Sequence, residues 1–91
     1  MDFEYDPHKS AVNLAKHGID FDDAQRLWEG PVLKVPTYAG TDEERKLNIG
    51  MIDGKHWSAI TTERNGRTRI ISVRRSRRNE EAAYDNAIEG R

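Results

Sequence analysis

The chain contains no cysteine, which excludes a disulfide framework, a thiolate zinc centre and cysteine catalysis, and is what a reducing compartment permits. It has no apolar stretch near the roughly 20 residues that a membrane-spanning helix requires, and no basic-then-apolar leader of the secretory kind. No membrane role is therefore expected, and the cytoplasm is the expected location. Its three histidines, His8, His17 and His56, are too scattered to read as a metal site. Net charge is nearly absent as well: 15 Lys plus Arg against 16 Asp plus Glu leave −1 over 91 residues. That length fits one small domain, residues 1–91, and no linker, repeat or low-complexity segment divides it.

What is present is unevenly placed. Residues 64–78 hold seven arginines and no acid, a local charge of +7, so the remainder carries 8 basic against 16 acidic groups. An ordinary mixture of Lys and Glu would read as a solvated surface. Seven guanidinium groups without a counter-charge point instead to a polyanion or an acidic partner, because their planar forks match phosphate and carboxylate geometry.

The mean hydropathy is low, −0.92, yet apolar residues recur with period. Phe3-Glu4-Tyr5 alternates like a short strand and stops at Asp6-Pro7, a cap followed by a first-turn proline. A helix over residues 8–17 follows, with Ala11, Val12, Leu14 and Ala15 as its apolar stripe and Lys16-His17-Gly18 as its basic, glycine-terminated end. Asp20 or Asp22 can cap a second helix through about Glu29, with Ala24, Leu27 and Trp28 inward and Gly30-Pro31 ending it. From Val32 the period becomes two. Residues 32–38 read as an edge strand because of Pro36, residues 39–44 as a polar loop, and residues 45–52, 56–64 and 67–74 as three further strands. Asp53-Gly54 and Asn65-Gly66 are turns of the two-residue type I′ kind, which fix register. Residues 76–89 carry Glu80, Ala83, Tyr84, Ala87 and Ile88 at helical spacing and close the chain as a helix. The expected fold is α+β: two N-terminal helices packed on a mainly antiparallel four- to five-stranded sheet, with a C-terminal helix.

The turns predict which residues share a face. Leu47, Ile49, Met51, Ile60, Ile71 and Val73 fall on one side, ringed by Arg45, Arg64, Arg67 and Arg69, and that side is expected to take the helical cover. The other side presents Lys46, Asn48, Gly50, Trp57, Ala59, Thr61, Ile70, Ser72 and Arg74, and reads as the binding face. On this register Arg74 and the pair Arg64 and Arg69 cannot lie on one flat patch unless the sheet twists strongly or its edge forms the site, and Arg69 is expected to be paired with Glu80 or an aspartate of residues 20–23.

A metal-free ribonuclease needs a group to take the 2′-OH proton, cations around the phosphorane and an acid for the leaving 5′-oxygen. Arg64, Arg69 and Arg74 are candidates for the cations, since arginine within a strand needs an anion nearby. His17 either moves protons or simply completes the helix end. Glu44 beside Arg45 is either a base with its orienting cation or a strand-end ion pair. Tyr84 is either a core aromatic with a wet hydroxyl or a contact to RNA. Trp28 reads as core, and Trp57, beside Arg74 on the polar face, can stack on a base.

These residues carry a resemblance. Phe3-Glu4-Tyr5-Asp6-Pro7-x-Lys9, Asn13-x-x-Lys16-His17-Gly18-Ile19-x-Phe21, Thr62-x-Arg64, and Arg69-Ile70-Ile71-Ser72-Val73-Arg74 with Glu80-x-x-x-Tyr84 resemble the BrnT toxins of bacterial type II toxin-antitoxin systems. The likeness spans nearly the whole chain. It implies a RelE-like fold, ribonuclease activity that halts translation, no cofactor, and neutralisation by a BrnA-like antitoxin with a ribbon-helix-helix domain that alone meets operator DNA. On that reading Arg64, Arg74, His17 and Glu44 are the catalytic candidates, and Lys46, Trp57, Arg67, Arg69, Arg75 and Tyr84 the RNA contacts. The rival reading is a non-catalytic antitoxin-binding or corepressor module, which would lose partner affinity rather than activity when an arginine is replaced.

Overall fold

The computed structural model describes residues 1–37 and 43–90. Its strands are β1 (Phe3–Glu4), β2 (Leu33–Thr37), β3 (Arg45–Ile52), β4 (Lys55–Arg64) and β5 (Arg67–Arg75); its helices are α1 (Pro7–His17), a 3-10 helix (Asp23–Glu29) and α2 (Arg78–Asp85), which runs into a π-type turn (Asn86–Gly90). The fold is α+β with a five-stranded mixed sheet ordered β1-β5-β4-β3-β2, in which only the β1–β5 pair is parallel. The expected N-terminal helix pair is one α-helix and one 3-10 segment, and the C-terminal helix stops as α at Asp85 rather than continuing to residue 89. Residue 38 and most of the expected loop, residues 39–42, lie outside the described residues. Among the described residues no helix is long and apolar enough to cross a membrane.

Local chemistry explains the boundaries. Asp6 caps α1 by accepting the amides of His8 and Lys9, Pro7 occupies the first turn, and Gly18 closes the helix at φ +80°. Asp20, not Asp22, caps the next segment through its bond from the Asp23 amide. Both hairpin turns have positive φ at both positions, 51° and 77° for Asp53-Gly54 and 55° and 77° for Asn65-Gly66, as type I′ requires.

The β3–β4 register is the expected one, Leu47 opposite Ile60 and Met51 opposite His56. The β4–β5 register starts as expected, with Arg64 opposite Arg67 and Thr62 opposite Arg69, but shifts between Ile60 and Thr61, so that Ile60 faces Ser72 and not Ile71. An extra residue on β5 is a β-bulge, and it reverses the side of everything after it. Val73 therefore joins Ala59 and Ile70, while Arg74 joins Ser58 and Thr62's side of the sheet.

α1 and the 3-10 helix cover the side that was expected to be open, and not the Leu47 and Ile60 side that was expected to take them. Ala59, Ile70 and Val73 pack with Ile19, Phe21, Ala24 and Leu27, and Phe3, Tyr5, Trp28 and Trp57 border that core. Polar residues are accommodated there by pairing: Asn48, 1% exposed, donates to Thr61 Oγ1 at 2.9 Å and to the Ala59 carbonyl. Gly50 lets Leu27 approach, since a Cβ at that position would lie 3.0 Å from Leu27 Cγ. α1 contributes Ser10 and Asn13 to the interior, not the expected stripe; Val12 and Leu14 are 43% and 50% exposed. Asn13 is used as a strand substitute. Its side chain donates to the Val73 carbonyl at 2.9 Å, accepts from the Val73 amide at 3.2 Å and donates to the Ile19 carbonyl at 2.8 Å, closing an edge of β5 that β1, ending at Glu4, does not reach.

Candidate nucleic-acid interface

On the sheet side away from α1 and the 3-10 helix, the registers arrange side chains in rows. Arg64 and Arg67 form the hairpin tip; Thr37, Arg45, Thr62, Arg69 and Glu4 form the next row; Val35, Leu47, Ile60 and Ser72 the third; Leu33, Ile49, Ser58 and Arg74 the fourth. α2 covers only the far end of this side, where Tyr84 meets His56 edge-on at 5.5 Å, Asp85 bonds His56 Nε2 at 2.9 Å and Glu80 reaches Ser58. The rest is open. Its floor is aliphatic, with Leu47 and Ile60 half-buried and Val35 exposed, and its outer rows are cationic.

The bulge adds Ser72 and Arg74 to this surface. Without the shift at Ile71, Arg74 would point into the helical layer; with it, Arg45, Arg64, Arg67, Arg69 and Arg74 share one side. Their states differ. Arg64 and Arg67 sit directly across the hairpin from one another, exposed and without an intramolecular acceptor among the described residues, a like-charge pairing that an external anion would relieve. Arg69 donates to Glu4 Oε2 at 3.1 Å, with both side chains about a quarter exposed, and not to Glu80 or to an aspartate of residues 20–23. Arg45 lies 3.9 Å from Glu43, whose other oxygen accepts from Thr62 Oγ1.

Arg74 is the most firmly held of the five. It forks onto both oxygens of Glu80 at 2.8 Å, and Glu80 also accepts from Ser58 Oγ at 3.0 Å and from the Arg77 amide at 2.8 Å. The Arg74 guanidinium, with the Arg77 amide and Ser58 hydroxyl, holds the Glu80 carboxyl at about 2, well below its ordinary value, and Glu80 in turn raises the Arg74 pKa. The partner that sequence assigned to Arg69 thus belongs to Arg74, whose first task is to fasten α2 to the sheet.

The remaining candidates are dispersed. His17 lies at the open edge of β5, in a cleft with Lys9, Val12, Asn13, Lys16, Ile71 and Ser72. Glu44 pairs with Lys46 at 3.2 Å, beside Glu43 and Glu63, at the opposite edge of the sheet's cationic end. Trp57 and Arg75 lie on the helix-covered side: Trp57 borders the core, the Arg75 guanidinium stands 5.7 Å from its ring centroid, and Arg75 Nε donates to the His56 carbonyl. Neither belongs to the open face. Tyr84 is 2% exposed and its hydroxyl donates to the Pro31 carbonyl, which makes it a core residue. Glu4 was missed; only the alternation of Phe3-Glu4-Tyr5 hinted that it faces away from the core. Among the described residues no three His, Asp or Glu side chains form a metal-binding group.

Comparison with known families gives one match: the model for the ribonuclease toxin BrnT of type II toxin-antitoxin systems aligns with residues 5–80. No curated protein matches the chain.

Proposed function

The chain belongs to the BrnT family of ribonuclease toxins of type II toxin-antitoxin systems, and from that premise we propose that it cleaves RNA on the open sheet face, without a metal ion, and so inhibits translation in the cytoplasm. The observation that carries the reading is the co-facial set Arg45, Arg64, Arg67 and Arg69, which the hairpin register places on the open side. Bases rest on the Val35, Leu47 and Ile60 floor while Arg64, Arg67 and Arg69 take phosphates.

In the proposed reaction the ribose 2′-oxygen attacks the adjacent phosphorus, its proton passes to a base, and the 5′-oxygen leaves with a proton from an acid. The products are a 2′,3′-cyclic phosphate and a 5′-hydroxyl. Arg64 and Arg69 stabilise the charge that develops on the pentacoordinate phosphorus, the kind of donor whose removal costs roughly a hundredfold or more in rate. His17 is the proton-transfer candidate, because it borders Ser72, the β5 residue that belongs to the aliphatic row. Glu44 and Lys46 do not join the site, since the Glu44 carboxylate and its neighbours Glu43 and Glu63 repel a phosphate backbone. A BrnA-like ribbon-helix-helix antitoxin neutralises the activity and supplies any contact with operator DNA.

Expression of the chain alone, with sequencing of RNA 5′ ends, tests the reading. Growth arrest with new internal ends, both removed by the antitoxin, supports it; undiminished growth with intact transcripts at confirmed soluble expression contradicts it. The rival reading as a corepressor predicts that second result with antitoxin binding retained.

A further inference from the structure

α1 is inverted relative to an ordinary surface helix. It buries Ser10 and Asn13 and leaves Ala11, Val12, Leu14 and Ala15 outside. Residues 7–17 carry Lys9, Lys16 and two histidines but no acid, not even in the first turn where the helix dipole favours one. Lys9, Val12, Asn13, Lys16 and His17 follow the spacing i, i+3, i+4, i+7, i+8, so one side of the helix faces the β5 edge, where the bulge sets Ile71 and Ser72 opposite them. Between the two lies a cleft of about 270 Å³ with an aliphatic floor, Val12 and Ile71, and a rim of three basic side chains.

We propose that this cleft docks a peptide segment of the antitoxin in which an aliphatic residue is flanked by carboxylates. The proposal rests on the reading of the chain as a toxin with such a partner, and it places that partner on a surface separate from the arginine face. The chemistry favours peptide over RNA. Its two lysines are a sparser cationic rim than the arginines of the open face, and it is smaller than the roughly 300–1,000 Å³ of sites that enclose a small-molecule ligand. Its aliphatic floor suits a Leu, Ile or Val side chain, and Lys9 and Lys16 complement carboxylates on either side. A segment seated there also lies over His17 and beside Ser72, so docking blocks the near edge of the RNA face.

The test uses the full chain and the BrnA-like ribbon-helix-helix antitoxin proposed above. Affinity is measured by calorimetry, and cleavage of one RNA oligonucleotide by the free toxin is followed for wild type, Lys9→Glu/Lys16→Glu, Val12→Asp and Leu14→Asp. Leu14 is as exposed as Val12 but lies two residues on, on the other flank of α1. The double charge reversal and Val12→Asp are expected to lower affinity at least tenfold with circular dichroism melting unchanged and cleavage lowered by far less than affinity, and Leu14→Asp to bind as wild type. Wild-type affinity in both cleft variants would overturn the proposal. So would loss of cleavage with partner affinity intact, which would make the cleft an RNA groove. A wild-type chain that cleaves no RNA while its cleft variants still lose the partner would remove the enzymatic reading and support this one.

Discussion

Glu80 collects four hydrogen bonds on one carboxylate that is 7% exposed, two of them from Arg74, and this fixes what single substitutions should do. Removing Arg74 leaves a buried anion with only Ser58 and the Arg77 amide. Because the guanidinium is itself about a quarter exposed, Arg74→Ala should cost about 2–4 kcal/mol, somewhat below the loss for a fully buried pair. For a chain of this size the melting temperature should fall by about 10 °C or more, measurable by calorimetry. Arg69→Ala should behave oppositely, since its single bond to half-buried Glu4 is worth about 1 kcal/mol or less. Its melting temperature should fall by no more than about 4–8 °C while RNA cleavage drops roughly a hundredfold. Glu80 also sets an acid response. A carboxylate whose folded pKa is depressed to about 2 from 4.5 stabilises the fold fully above pH 4.5 and loses that contribution as pH falls toward 2. Thermal unfolding between pH 5 and 2.5 should therefore show a steeper decline for wild type than for Glu80→Gln.

Among the elements, the hairpins were legible and the bulge was not. Asp53-Gly54 and Asn65-Gly66 announce type I′ turns because only residues tolerant of positive φ serve there, and the pairings next to each turn followed. Nothing at Ile71 marks a bulge: it is β-branched and has no neighbouring glycine or proline. One unseen residue then exchanged the sides of Val73 and Arg74. α1 was misread for a related reason, since helical periodicity counts apolar residues and cannot see that Asn13 is valuable inside as a substitute strand. Asn13→Ala should leave the Val73 amide and carbonyl and the Ile19 carbonyl without partners and cost about 2–4 kcal/mol. Val12→Ala, on the exposed flank, should change stability by less than about 0.5 kcal/mol; urea unfolding of both variants distinguishes the two faces of the helix.

At the scale of the whole molecule, the charge asymmetry read from residues 64–78 was a sound guide to the class of partner and a poor guide to individual roles. Of those seven arginines, Arg74 fastens α2, Arg75 covers Trp57, and Arg64, Arg67 and Arg69 face the open surface. Single-strand RNA binding through these three should weaken with a slope of about −2 in log affinity against log salt, a value that titrations from 50 to 300 mM salt would read. The central claim is that the open arginine face cuts RNA unaided by metal. It is tested most directly by incubating the purified chain with a 5′-labelled RNA oligonucleotide in excess EDTA and resolving the product ends, with Arg69→Ala in parallel. Cleavage in EDTA that leaves 2′,3′-cyclic phosphate, lowered roughly a hundredfold in the variant, is the result predicted; intact RNA until a divalent cation is added, or equal rates for the two proteins, would contradict it.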